Sequence, residues 1–297
     1  MSAGWRAMGA NMWRLILVLL CLLGCGARTD FETDIDARAP APPASSSYRV
    51  YDVLWRTAPS QSNGYGTNAG LAYTNADVPY WDSYVTTRPT DADLSKNAEA
   101  FTSIHGGHGA DSAIAKAMVE GGLHPIIVNV SRGSTFSAQW IHRVPPEAVY
   151  MNARAEVEQA WAALQALKPD ATFRHWHVID QGEAEIRYGY PTPAASQLAV
   201  IHAWESNANA AHAWLEDVIG AAIDRLCFLT NYNISKASAS ASIRAQQLSW
   251  AGPNRAIDRD SLRWESDGVH LQAQGYIDAG TAAGRRLVEL TSSGAQQ

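Results

Sequence analysis

Disulfide chemistry has almost no material in this chain, because its 297 residues contain three cysteines. Cys21 and Cys25 fall in the first 25 residues, which leaves Cys227 alone in the body and excludes an intramolecular disulfide there. Cys227 stands in the apolar stretch Leu226-Cys227-Phe228-Leu229, the setting of a buried, inert thiol rather than a nucleophile. A basic excess is missing too. With 23 Lys and Arg against 29 Asp and Glu, a net charge of -6 and no basic stripe, the chain lacks the footprint of a nucleic-acid binder. It has no Gly-x-x-x-x-Gly-Lys loop and no dinucleotide fingerprint, so neither nucleotides nor hydride transfer is indicated and no cofactor is expected. His105-Gly106-Gly107-His108-Gly109 and His175-Trp176-His177 each lack a third ligand at fitting spacing, so no metal is expected either.

Long hydrophobic runs are also absent. The apolar run Leu15 to Leu23 has nine residues, too few to cross a hydrocarbon layer of about 30 Å. Preceded by Arg6 and Arg14 and followed by Gly24, it reads as an export signal. Its end, Leu22-Leu23-Gly24-Cys25, resembles the bacterial lipobox, which makes Cys25 the expected lipidation site and residues 1–24 the signal. Residues 25–47 are polar and rich in Pro, Ala and Ser without apolar periodicity, as in an extended tether, and residues 48–297 form the one remaining domain.

What is plentiful is core-forming material: 46% hydrophobic residues, 18% charged, eleven Trp and eleven Tyr. Aromatic faces suit sugar rings as well as protein cores. Strand-like runs at Arg49–Trp55, Pro125–Val130, Thr172–Ile179 and Cys227–Asn231 alternate with helical stretches. The latter cover Asp111–Glu120, Ala153–Leu167, a long Ala-rich segment from Ala194 to Leu226, Ala237–Trp250 and Gln274–Leu290. Repeated strand-then-helix order predicts an α/β protein with a parallel sheet covered on both faces. Sites on such sheets form at the carboxyl ends of the strands. Ser62 follows the first run, Gly133 the second, and Gln181-Gly182-Glu183 the third.

Ser62 lies in Pro59-Ser60-Gln61-Ser62-Asn63-Gly64, a polar turn able to present a hydroxyl. It is not a Gly-x-Ser-x-Gly elbow, because Ser60 occupies the first glycine position. In Asp267-Gly268-Val269-His270, an Asp three residues before a His can set the imidazole's tautomer and stabilise its charged form. Asn129-Val130-Ser131 and Asn233-Ile234-Ser235 fit the glycosylation pattern, but the first falls in an expected buried strand.

Taken together, Ser60-Gln61-Ser62-Asn63, Gln181-Gly182-Glu183 and Asp267-x-x-His270 resemble the SGNH hydrolase superfamily, within it the sialate O-acetylesterase and acetylxylan esterase branch. The resemblance implies a flavodoxin-like three-layer α/β/α fold. It implies Ser62 as nucleophile, His270 as general base and Asp267 as its partner. The oxyanion hole would combine the backbone N–H groups of Ser62 and Gly133 with the Gln181 side-chain amide, Glu183 would stand behind them, and Asn63 and His108 would reach substrate. Ser60 and Arg132 depart from the family's usual glycines. The expected protein is a monomeric, exported, cofactor-independent esterase acting on acetylated carbohydrate and attached to a membrane by its lipid alone. A lipase or thioesterase of the same superfamily is the alternative among enzymes, and a catalytically silent glycan binder the alternative outside them.

Overall fold

The computed structural model describes residues 50–57, 73–83, 100–105, 109–133, 135–141, 148–187, 195–230, 237–265 and 270–294. They form an α/β/α sandwich on a sheet of seven strands: β1 (Val50–Arg56), β2 (Thr74–Asp82), β3 (Thr102–His105), β4 (Pro125–Asn129), β5 (Thr172–Ile179), β6 (Asp224–Phe228) and β7 (Ala256–Ile257). The order is β3-β2-β4-β1-β5-β6-β7, parallel throughout except for β3, which closes the edge antiparallel to β2. β1 lies between β4 and β5, with Trp55 opposite both Val128 and His177.

The period of two along each strand separates two cores. Leu54, Ile127, Trp176, Val178, Leu226 and Phe228 meet the helices α1 (Gly109–Glu120) and α7 (Ala273–Gly294). Val53, Trp55, Ile126 and Val128 turn the other way, onto α2 (Ala148–Leu167) and α5 (Trp204–Ile219). Ile179 and Cys227 continue that second face onto α3 (Glu183–Arg187), α4 (Ala195–His202), α5 and α6 (Ala237–Ala251). Cys227 is fully buried, and burial pushes its thiol up. The aromatic residues serve these cores first: Trp55, Trp81, Trp140, Trp176, Trp204, Trp214 and Trp250 are all buried. Among the described residues no helix is long and apolar enough to cross a membrane.

The structure departs from the sequence pattern in two places. The Ala-rich stretch from Ala194 to Leu226 is not one helix. α5 ends at Gly220, whose left-handed φ of 72° lets its N–H reach the Glu216 carbonyl, about two turns before the expected helix end, and the chain enters β6 at Asp224. Strands β2, β3 and β7 and helix α3 carry no clear pattern. β2 contains Pro79 beside a shift in its pairing with β3, which fits a strand near the sheet edge. Asn129 is buried and bonded to Asp111, so it is not available as a glycan acceptor.

Candidate active site

The strand exits at the carboxyl edge are fastened to one another by buried polar side chains. After β4 the chain passes through Ser131, Arg132 and Gly133, all buried. The Arg132 guanidinium turns away toward β2, bonding the Ser83 carbonyl, the Ser83 hydroxyl at 3.2 Å and Asn152 Oδ1 at 2.6 Å. Burial lowers it only to about 10, so it stays charged at neutral pH. The segment is then pinned by Thr135, whose hydroxyl donates to the Arg132 carbonyl at 2.8 Å and accepts Trp140 Nε1–H at 3.0 Å.

From the end of β5, Gln181 crosses to that same segment. Its amide nitrogen donates to the Thr135 carbonyl at 2.5 Å and to Glu185 Oε2 at 3.0 Å, while Oε1 is buried without a partner. The other Glu185 oxygen accepts the Ser137 N–H at 2.5 Å. Burial raises the Glu185 carboxyl, and the Ser137 and Gln181 donors oppose that rise. Gln181 and Gly133 are therefore brought into one bonded unit. Both amide hydrogens of Gln181 have protein acceptors in this structure. What Gln181 does in this arrangement is hold the Gly133 segment through Thr135. Gly182 follows with φ 150°, and an added Cβ would come within 3.0 Å of Thr230 and 3.1 Å of Ile243, so the turn needs glycine.

Beneath this turn lies a buried ionic network that the sequence reading did not foresee. Arg56, the last residue of β1, pairs with Asp111 of α1 at 2.8 Å and lies 3.7 Å from Asp180. Asp180 also receives Arg259 at 2.9 Å, and Arg259 reaches Glu183 at 2.7 Å. The Phe228 ring lies beneath both guanidinium groups, 5.4 Å from Arg56 and 5.6 Å from Arg259. Three carboxylates share two cations. Burial pushes Asp111 up to about 6 although Arg56, Asn129 and Tyr80 all hold its charged form. Burial also raises Glu183, opposed by Arg259 and reinforced by Asp180. Glu183 thus stands behind the site as an ion-pair partner.

His270 comes from the loop after β7, at the entry to α7. Trp264 and Leu271 form an antiparallel bridge, the Glu265 N–H donates to the His270 carbonyl at 2.7 Å, and the half-buried His270 ring is carried on that turn. Ser62, Asn63, His108, Asp267 and Cys25 lie outside the described residues. Gly133, Gln181 and His270 all follow strands that end at the carboxyl edge, where β1 also leads into the segment carrying Ser62.

His175, His177 and His212 have structural partners. His175 accepts Trp55 Nε1–H at 3.2 Å. His177 Nε2 meets the Thr57 carbonyl at 2.9 Å and so carries the hydrogen, leaving Nδ1 to accept from His212 Nδ1–H at 3.0 Å. Among the described residues no three His, Cys, Asp or Glu side chains gather as a metal ion requires.

No protein-family model matches the chain, and no curated protein does. Solved structures do. An Arabidopsis thaliana protein superimposes with a TM-score of 0.56 at 14% identity, covering 81% of this chain and 98% of its own. This chain shares that protein's fold. A carbohydrate acetylesterase from Xanthomonas citri gives 0.48 at 14% identity over 82% of this chain and 57% of its own. A carbohydrate acetylesterase from Sinorhizobium meliloti gives 0.45 at 13% over 81% and 99%.

Proposed function

We propose that this chain is a serine esterase that removes acetyl groups from carbohydrate hydroxyls through an acyl-enzyme, with Ser62 as nucleophile, His270 as general base and Asp267 as its partner. The observation that supports the reading is that Gly133, Gln181 and His270, far apart in sequence, each follow the carboxyl end of a strand of one sheet, as Ser62 follows β1 along the sequence. A serine hydroxyl needs a neighbouring imidazole to take its proton, and the tetrahedral intermediate needs fixed donors where its negative charge develops. Backbone N–H groups of Ser62 and Gly133 serve as those donors. Gln181 keeps the second in place through Thr135, and Asn63 and His108 border the sugar.

The similarity of Ser60-Gln61-Ser62-Asn63, Gln181-Gly182-Glu183 and Asp267-x-x-His270 to the SGNH hydrolases favours ester over amide chemistry. The chain acts as an exported monomer tethered through Cys25, with residues 25–47 as spacer. Cys25→Ser should leave activity intact and release the protein from the membrane fraction. A mature wild-type terminus found without lipid ends the tether reading.

The test is hydrolysis of a panel of acetylated sugars against longer-chain acyl esters. Preference for the sugars is expected. Preference for long acyl chains would point to a lipase or thioesterase, and glycan binding with no hydrolysis would point to a silent binder.

A further inference from the structure

Arg259 meets two parts of the site at once. Its guanidinium holds Asp180 Oδ1 at 2.9 Å and Glu183 Oε1 at 2.7 Å, so one cation grips the turn carrying Gln181 from both sides. Its Nε–H donates to the Leu229 carbonyl at 3.0 Å, beyond the end of β6. Its own carbonyl accepts Trp264 Nε1–H at 3.2 Å, and the Trp264 ring stands 5.6 Å from the guanidinium carbon. Trp264 is in turn bridged to Leu271, while the Glu265 N–H bonds the His270 carbonyl at 2.7 Å and the Gln272 N–H bonds the Arg263 carbonyl at 2.9 Å. Leu271 is buried in the α1/α7 core. An unbroken path of short bonds therefore runs from Glu183, through Arg259 and Trp264, to the backbone of His270.

We propose that Arg259 and Trp264 are positioning residues for His270, forming a strut that sets the base-bearing turn against the Gln181 turn. The proposal rests on His270 acting as general base. Its physical reason is that proton transfer from a serine depends on placement within a fraction of an ångström, and the backbone of His270 is bonded to Glu265, the residue next to Trp264. A fully buried guanidinium with three fixed acceptors is a rigid reference point, and an indole lying against it passes that rigidity on. A purely structural network predicts something different: lost stability with the catalytic constants of the folded protein intact.

Trp264→Ala removes the ring and its N–H, Trp264→Phe removes the N–H and keeps a ring, and Arg259→Lys keeps a charge with fewer bonds. The experiment measures kcat and KM on an acetylated sugar together with amide hydrogen exchange across residues 263–272, in the full chain. Folded Trp264→Ala should lose about tenfold in kcat with KM within about twofold, because misplacement acts on the chemical step. Exchange at Glu265 and Gln272 should quicken about tenfold while α1 and α7 stay as protected as before. Trp264→Phe should fall between, and Arg259→Lys should follow Trp264→Ala. If Arg259→Lys does not fold, the two Trp264 variants decide. Unchanged kcat in folded Trp264→Ala, with or without faster exchange, overturns the proposal. Should wild type hydrolyse no ester, the general-base reading fails on its own terms, and unchanged exchange in Trp264→Ala would overturn the strut as well.

Discussion

Arginine–carboxylate pairs occupy both ends of the central strands, and they behave differently. Toward the amino ends, Arg174 of β5 holds Asp52 of β1 through Nε at 2.5 Å and Nη2 at 2.9 Å, with Trp176 Nε1–H adding 3.1 Å. That pair is balanced in charge, and the Arg174 side chain is 32% exposed, so water solvates part of it. At the carboxyl ends Arg259 is 1% exposed and holds Asp180 and Glu183, while Arg56 holds Asp111 and approaches Asp180. The first pair joins two strands. The second network joins β1, α1, β5 and the loop after β7, and no member can leave without stranding a buried charge. Identical side-chain chemistry is a local clip in one place and a junction in the other.

The largest effect should come from breaking the junction. Arg259→Met removes the guanidinium that Asp180 and Glu183 share, leaving Arg56 at 3.7 Å from Asp180, and urea denaturation should show a loss of about 3–5 kcal/mol. Arg174→Met should cost only about 1–2 kcal/mol, because Asp52 keeps the Trp176 donor and water reaches the site. Equal losses would remove the contrast between the two edges.

How far the sequence reveals this contrast depends on spacing. The β1, β4 and β5 strands are visible as apolar runs, and β5 occupies the expected Thr172–Ile179. β2 is hidden because Asn75, Asp77 and Pro79 break its pattern. β6 begins at Asp224 rather than Cys227, since the half-buried Asp224 and Arg225 at its entry break the apolar run and read as the end of the Ala-rich helical stretch. The site turns after β4 and β5 follow from strand order alone. The ionic junction is invisible because Arg56, Asp111, Asp180 and Arg259 lie on four separate segments, and one sequence carries no record of which distant residues pair. One clue was available: Arg56 directly closes an apolar strand, where a charge must find a buried partner. The bonding of Gln181 was equally hidden, since its partner Thr135 lies in another loop.

Acid should sharpen the comparison. Asp111 sits at about 6 in the folded protein against 3.8 unfolded, so the folded state binds the proton more readily and this group adds stability as pH falls from about 6 toward 4. His175 and His212 act oppositely. Burial lowers both to about 4 from 6.5, with Arg225 assisting at His212, so the unfolded chain takes their protons first. Their contribution is present above about pH 6.5 and lost as pH falls to about 4. Urea midpoints from pH 7 to 4 should therefore fall less steeply in His212→Gln and more steeply in Asp111→Asn than in wild type. Parallel curves for all three proteins would contradict these assignments.

Gln181→Ala removes the side-chain donor to the Thr135 carbonyl and leaves the Glu185 carboxyl with the Ser137 N–H, and it should cost about 1–3 kcal/mol in the same assay. If Gln181 works by holding the Gly133 segment, kcat should fall with it, and an unaltered kcat would deny that role. The smallest change should be Lys116→Ala, because Lys116 and Glu120 meet at 2.7 Å on the open face of α1 with 44% and 63% of their side chains exposed. Stability should stay within about 0.5 kcal/mol of wild type.

The central claim is covalent catalysis by Ser62, and trapping tests it most directly. The protein is treated with an activated phosphonate ester, digested, and its peptides are weighed by mass spectrometry. Wild type should carry one phosphonyl group on the peptide containing Ser62, Ser62→Ala should carry none and hydrolyse no acetylated sugar, and His270→Ala should label far more slowly because its serine keeps the proton. Undiminished sugar deacetylation by folded Ser62→Ala, or stoichiometric labelling at another serine, would contradict the account.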